Sequence, residues 1–195
     1  MHYGKQAATL NEKQVKNALS RTTEYKNGTR NRLILELSIY AGLRAKEITN
    51  LCWEHCLDNE GNILPSIRLT DAITKGSSSG GEIPMHPSIR KTLEDYRQLK
   101  LNNKGPLITS DKGTPLSRQS IINLFWRHYR ACGIEGASSH SGRRTFITGI
   151  ARQISSVGGS LNDVRSLARH KNLATTQRYI SQNTKAQMEV VKLLK

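Results

Sequence analysis

Acidic residues are few in this chain beside its basic ones. Its 195 residues include 15 Asp and Glu against 30 Lys and Arg, a formal net charge of +15. The basic residues are scattered rather than gathered in a tail, so the excess is expected on a folded surface, and a polyanion is the natural partner. Nucleic acid fits that surface; on composition alone, so does a ribosome-associated or merely basic protein. Cysteine is scarce too. Cys52, Cys56 and Cys132 are an odd number without a paired spacing, which excludes a disulfide framework and fits reduced thiols inside a cell. Cys52 and Cys56 flank His55, but no second Cys/His pair stands at zinc-ligand spacing, so no metal site is expected. No apolar run approaches the ~20 residues of a membrane span, and the amino terminus does not resemble a signal peptide. The expectation is a protein without membrane contact, in the cytoplasm and associated with the nucleoid.

What is present is a largely helical pattern interrupted once. Residues 1–8 have no periodicity and read as a loose lead-in. Thr9 and Glu12 have the spacing of a capping box for a helix through about Ser20, and the polar segment Arg21 to Arg30 reads as a loop. Leu33, Ile34, Leu37, Tyr40 and Ala41 recur at helical spacing, and Gly42 ends that helix. From Trp53 to Met85 the pattern changes to short strands: Ile67 to Thr74 can pair with Glu82 to Met85 across a Gly/Ser loop that holds Lys75. Pro87 is placed to open a helix with Ile89, Leu93 and Tyr96 inward. Ser117 opens another, in which Ile121, Leu124, Phe125 and Tyr129 keep helical period and so read as core rather than base-stacking groups. Ser139 is expected to cap a helix bearing His140, Arg143 and Arg144, with Phe146, Ile147 and Ile150 on its apolar face. Ser160 and Asp163 form a second capping box, Thr175 to Tyr179 a further turn, and Met188, Val191 and Leu194 an amphipathic tail.

Several residues on this frame suit phosphate chemistry. Arg44 follows Gly42 at the start of a helix, whose free N–H groups and dipole favour anions, although Arg44 and Glu47 at i, i+3 also make an ordinary surface ion pair. His140 and Arg143 share one helical turn. Tyr179, following His170, offers a hydroxyl able to attack phosphorus. Lys75 at a flexible tip reads by itself as solvated.

The strings A-G-L-R-A-K-E-I, T-K-G, H-S-G-R-R-T-F, and L-A-R-H followed by A-T-T-Q-R-Y, in that order, resemble the catalytic domain of tyrosine recombinases, also called phage integrases. The resemblance covers about Thr9 to Gln182. It implies an α+β fold, mainly α-helical with a small antiparallel β-sheet or hairpin, and catalytic roles for Arg44, Lys75, His140, Arg143, His170 and Tyr179. The chain departs from the family in having Gly142 and Arg144 around the second arginine, where leucine and histidine are common. It also has Arg169 where glycine is common, which puts an additional cation near the phosphate site.

The implied activity is site-specific recombination, of integrase or invertase type, through a 3′-phosphotyrosine on Tyr179, with no cofactor, metal or ATP. In-line displacement at phosphorus builds charge on the nonbridging oxygens, and the planar donors of Arg44 and Arg143 match two of them. His140 is the proton acceptor or a phosphate donor, Lys75 the general acid to the leaving 5′ oxygen, and His170 a phosphate donor. Two other functions use the same fold: a catalytically silent DNA-binding regulator and a type IB topoisomerase. The implied partner is double-stranded DNA, bound as a homotetramer on two sites, with a monomer expected without DNA. Residues 9–182 are expected to form the catalytic domain, and 183–195 a tail helix that is a candidate for exchange between subunits. The chain is expected to be either an isolated catalytic domain or one of the short recombinases of about this length.

Overall fold

The computed structural model describes residues 7–74, 80–100, 103–179 and 192. Helices dominate: α1 (Glu12–Ser20), α2 (Gly28–Tyr40), α3 (Ala45–Asn50), the single turn α4 (Asp71–Thr74), α5 (Pro87–Gln98), α6 (Arg118–Ala131), α7 (Ser141–Gln153), α8 (Leu161–Ala168) and α9 (Leu173–Gln177). One antiparallel two-stranded sheet pairs β1 (Ser66–Leu69) with β2 (Gly81–Pro84), Ile67 opposite Ile83. The expected class, mainly helical with a small antiparallel sheet, is what the chain adopts.

Helix α2 is the axis. Leu33 to Ile39 are buried without interruption, so this helix is covered all round rather than amphipathic, as a central helix must be. Among its neighbours are α1, α3, α5, α6 and α7. Ile89, Leu93 and Tyr96 of α5, and Ile121, Phe125 and Tyr129 of α6, turn inward as their spacing predicts, while Leu124 is only partly buried. A second, smaller apolar cluster joins Ile147 of α7 to Val164 and Ala168 of α8, with Phe146, Ile150 and Tyr179 packed against it. Tyr179 is thus seated against α7 and α8.

Several local readings are corrected. The first capping box is Asn11 with Gln14, not Thr9 with Glu12, because the Thr9 hydroxyl accepts from Arg144 Nε at 3.2 Å and is engaged with α7. Residues Arg21–Glu24 form a 3-10 turn and α2 begins at Gly28, where a loop to Arg30 was expected. The first strand stops at Leu69, and Asp71–Thr74 wind into a helical turn whose Asp71 accepts from the Gly80 backbone at 2.6 Å. Ser139 does not cap α7. His140 is the N-cap residue, and the turn is stitched by Ser138 Oγ, which accepts from His140 N at 3.2 Å, and Ser141 Oγ, which accepts from Ser138 N at 3.0 Å. Pro87 opens α5, and the box at Ser160 with Asp163 stands where expected.

Among the described residues no helix is long and apolar enough to cross a membrane. His55 Nδ1 accepts from Cys52 N at 2.9 Å, closing its own turn, and Cys56 is buried with its thiol pushed up to about 12 by burial and by Cys52. The thiolate a metal needs is therefore disfavoured at Cys56.

Candidate active site

Gly42 is the hinge from which the site is built. It follows α2 at φ +62°, a left-handed conformation suited to glycine, and a Cβ there would lie 2.4 Å from the Phe146 ring. The turn places Arg44 at the N-cap of α3 and aims the Gly42 carbonyl back towards α7, where it accepts from Arg143 Nη1 at 2.6 Å. Arg143 Nη2 donates to the Ala168 carbonyl at the end of α8. One buried guanidinium therefore ties the α2–α3 turn, α7 and α8 together, and its position is set by backbone atoms.

Glu47, 3% exposed, lies one turn along α3. Its Oε1 accepts from Arg44 Nη1 at 2.8 Å, while Oε2 accepts from Arg44 N and from Arg169 Nη2, both at 2.8 Å. Both readings of Arg44 thus meet in one geometry: it pairs with Glu47, and it stands at the helix start beside Arg143. Burial pushes the Glu47 carboxyl up, but Arg169, the Arg44 backbone N–H, and the charges of Arg44 and Arg143 together hold it below the ordinary carboxylate range. Arg169 is 7% exposed and left-handed, at φ 53° and ψ 46°, as the residue that ends α8. The cation that stands where the family commonly has glycine is thus held by Glu47. Two guanidinium groups pair with one carboxylate, and the charge of a third, Arg143, also acts on it, so the surplus is positive. Burial and the neighbouring Arg44 and Arg169 charges pull Arg143 down to about 9, as happens to a cation in a site short of negative charge.

Gly142 is what lets α7 reach this place. A Cβ on it would stand 2.4 Å from Ser38 Oγ and 2.8 Å from Ser38 Cβ, so α7 crosses α2 at close approach and Arg143, the next residue, is driven in under the α2–α3 turn. Glycine at this position, where leucine is common in the family, permits that approach, and the H-x-x-R turn is intact.

The two histidines face the same charges. Desolvation and the charges of Arg143, Arg44 and Arg169 lower His170 to about 4, so its ring is neutral at pH 7. Its Nδ1 lies 3.0 Å from Thr176 Oγ1. With the hydroxyl donating, the ring proton sits on Nε2, free to donate to an anion. His140 is exposed at the rim; desolvation and the charges of Arg44, Arg118 and Arg143 lower it as well. Tyr179 stacks on His170 with ring centroids 5.6 Å apart and has Arg144 Cζ 5.8 Å from its centroid. It lies within electrostatic reach of Arg143.

The fold therefore brings Arg44, His140, Arg143, His170 and Tyr179 to one basic cup. Lys75 lies outside the described residues, as does the tail from Thr184 except Lys192. Two members, Glu47 and Thr176, have no site role in the sequence pattern: Glu47 is visible only as the partner of Arg44, and Thr176 only by its place in A-T-T-Q-R-Y. Arg169 stands out as an added cation, but its pairing with Glu47 spans 122 positions without a local signal.

Residues 8–186 match the Phage integrase family. A tyrosine recombinase XerC of Staphylococcus epidermidis is 32% identical over 171 residues, which cover 83% of this chain and 53% of that protein. A tyrosine recombinase XerD of Neisseria meningitidis serogroup B is 29% identical over 177 residues, 87% of this chain and 57% of the relative. The chain spans about half the length of the curated relatives it matches. The crystal structure of XerA recombinase superposes with a TM-score of 0.73 at 21% identity, covering 99% of this chain and 65% of the other. The Tn1549 transposon integrase in complex with a circular intermediate DNA gives 0.75 at 17%, covering 98% and 67%. These two likenesses establish the fold, and the sequence match over residues 8–186 establishes the kinship: the chain belongs to the phage integrase family.

Proposed function

We propose that this chain is the catalytic part, over residues 9–182, of a site-specific recombinase that cleaves and rejoins duplex DNA through Tyr179. The observation that carries the reading is the basic cup itself: Arg143 anchored to backbone carbonyls, Arg44 held by Glu47, a neutral His170 and the Tyr179 ring stacked beside it. Relatives of the same fold have been solved on DNA, among them a XerH site-specific recombinase bound to its difH substrate in a pre-cleavage complex.

A scissile phosphate in the cup accepts from Arg44 and Arg143 on its nonbridging oxygens and from His170 Nε2–H. Preorganised donors of this kind stabilise the charge that develops as the phosphorus is attacked. Tyr179 Oη bonds to phosphorus, the P–O5′ bond breaks, and the phenolic proton passes to His140, neutral at pH 7 and on the rim. The leaving 5′ oxygen takes its proton from Lys75, the role that family resemblance gives that residue. The 3′-phosphotyrosine conserves the bond, and a 5′ hydroxyl of another strand reverses the step. Assembly of four subunits on two duplexes, with exchange of residues 183–195, completes the proposal.

The test is a suicide duplex, nicked so that the 5′-hydroxyl fragment diffuses away. A covalent protein–DNA adduct is expected, absent in Tyr179→Phe. An adduct that persists in that variant removes Tyr179 from the chemistry. Wild-type protein that binds the duplex and forms no adduct refutes the enzymatic reading and leaves a DNA-binding regulator.

A further inference from the structure

We infer that Arg169 is a positioning residue of the phosphate cup, acting through Glu47 to keep Arg44 turned towards the anion. The inference rests on the proposed recombinase reading and extends it to a side chain that stands where the family commonly has glycine and to which the resemblance gives no role.

A carboxylate beside a single arginine tends to take it in a two-pronged pair that satisfies both partners at once. Glu47 is prevented from doing so. Its Oε1 takes Arg44 Nη1, while Oε2 is occupied by the Arg44 backbone N–H and by Arg169 Nη2, each at 2.8 Å. The guanidinium of Arg44 is thus held through one nitrogen on its Glu47 side. With its side chain 34% exposed, against 5% for Arg169, it is the cation of the pair that solvent and an entering phosphate can reach.

Arg169 also offsets the charge that Glu47 brings. With it the cluster of Arg44, Arg143, Arg169 and Glu47 is net positive by two; without it, by one. The backbone gives a second sign that the side chain is what matters at this position. Arg169 is the one non-glycine residue among those described with a positive φ, where glycine is the easier occupant. Its reach also explains how the end of α8 is fixed on the α2–α3 turn: Nη2 is 3.5 Å from the Gly42 carbonyl that Arg143 also uses.

The experiment compares single-turnover adduct formation on the suicide duplex by wild type, Arg169→Gly, Arg169→Lys, Arg169→Met, Glu47→Gln and the Arg169→Gly/Glu47→Gln double variant, with duplex affinity and sulfate affinity measured alongside. Arg169→Gly suits the left-handed backbone and is expected to bind duplex within a few-fold of wild type while cleaving about a hundredfold more slowly, the effect of a misplaced catalytic group. Lysine is expected to recover part of that loss and methionine none. The double variant is expected to cleave no more slowly than Glu47→Gln, since one residue acts through the other. Wild-type cleavage by Arg169→Gly, or full multiplication of the two losses, overturns the inference. If Arg169→Gly does not fold, equal rates for the lysine and methionine variants overturn it. If wild type forms no adduct, the recombinase reading fails on its own, and sulfate decides for Arg169: affinity reduced roughly fivefold or more in Arg169→Met supports it, and unchanged affinity overturns it.

Discussion

The same three guanidiniums have opposite effects on the charge of two neighbours. Arg44, Arg143 and Arg169 help to keep Glu47 ionised and His170 neutral. Both effects make stability depend on pH, in windows that follow from the signs. His170 titrates at about 4 when folded, against about 6.5 in an unfolded chain. Unfolding therefore takes up a proton between those values, and stability is lost as pH falls from about 6.5 to about 4. Glu47 contributes below that window: its folded pKa is depressed, so its stabilisation is present above about 4.3 and is lost as pH falls further, through the folded value. Thermal melting followed from pH 7.5 to 4.5 is expected to show the His170 loss, flattened in His170→Gln. Bound DNA is expected to reduce it, because a phosphate beside the ring favours the imidazolium. A wild-type profile as flat as that of His170→Gln contradicts the assignment. Glu47→Ala, which leaves Arg44 and Arg169 without their shared acceptor, is expected to cost about 3 kcal/mol in urea unfolding at pH 7, the scale for removing one member of a buried ion pair. A cost under 1 kcal/mol contradicts the geometry. At this scale the sequence revealed the residue types and their order. It concealed their couplings, because the Arg169–Glu47 and Arg143–Gly42 contacts join positions 122 and 101 apart.

At the scale of elements, the crossing of α2 and α7 decides whether the cup forms. Gly142 presses against Ser38, whose hydroxyl is buried with no hydrogen-bond partner. Gly142→Ala introduces a Cβ that cannot coexist with Ser38 where both now stand. Overpacking of this kind costs about 1–3 kcal/mol and moves backbone, and here the backbone that moves carries Arg143. The expected result is a lowered melting temperature together with slowed cleavage, both partly restored in Gly142→Ala/Ser38→Gly, which removes the two nearest opposing atoms and leaves the Ser38 backbone carbon at 3.1 Å. A second-site change that restores neither shows that the crossing is not what positions Arg143. The sequence was legible where an element is defined by its own residues: the burial of Ile89, Leu93 and Tyr96, the box at Ser160 and Asp163, and the turn at Gly42 all follow from local pattern. It was misread where a neighbour claims the local signal. Thr9 has the spacing of a cap but its hydroxyl serves Arg144, and Asn11 takes over. Asp71–Thr74 continue an apolar, β-prone run yet wind into a turn that accepts the Gly80 N–H.

For the whole molecule, the surplus of +15 is the property that composition made plainest, and the fold determines how it acts. Neutralising phosphates releases counterions, so the logarithm of the DNA association constant is expected to fall linearly with the logarithm of salt, with a slope of about 0.9 per phosphate contacted. The surface is not uniform in this respect. Arg118 opens α6, and its charge is among those that lower His140 at the rim of the cup. Arg130 lies twelve residues further along the same helix, about 18 Å away at the usual rise per residue, with its charge 5.2 Å from the Trp126 ring. Both are exposed arginines on one element, so composition does not separate them and position does. Arg118→Ala is expected to lower the salt slope by about 0.9, the value for one lost phosphate contact, and to weaken binding to all duplexes. Arg130→Ala is expected to leave the slope as it is. Titration of a labelled duplex at four salt concentrations checks both. Equal slopes for the two variants would mean that DNA is held by the diffuse charge of the whole surface, with no preference for the cup face.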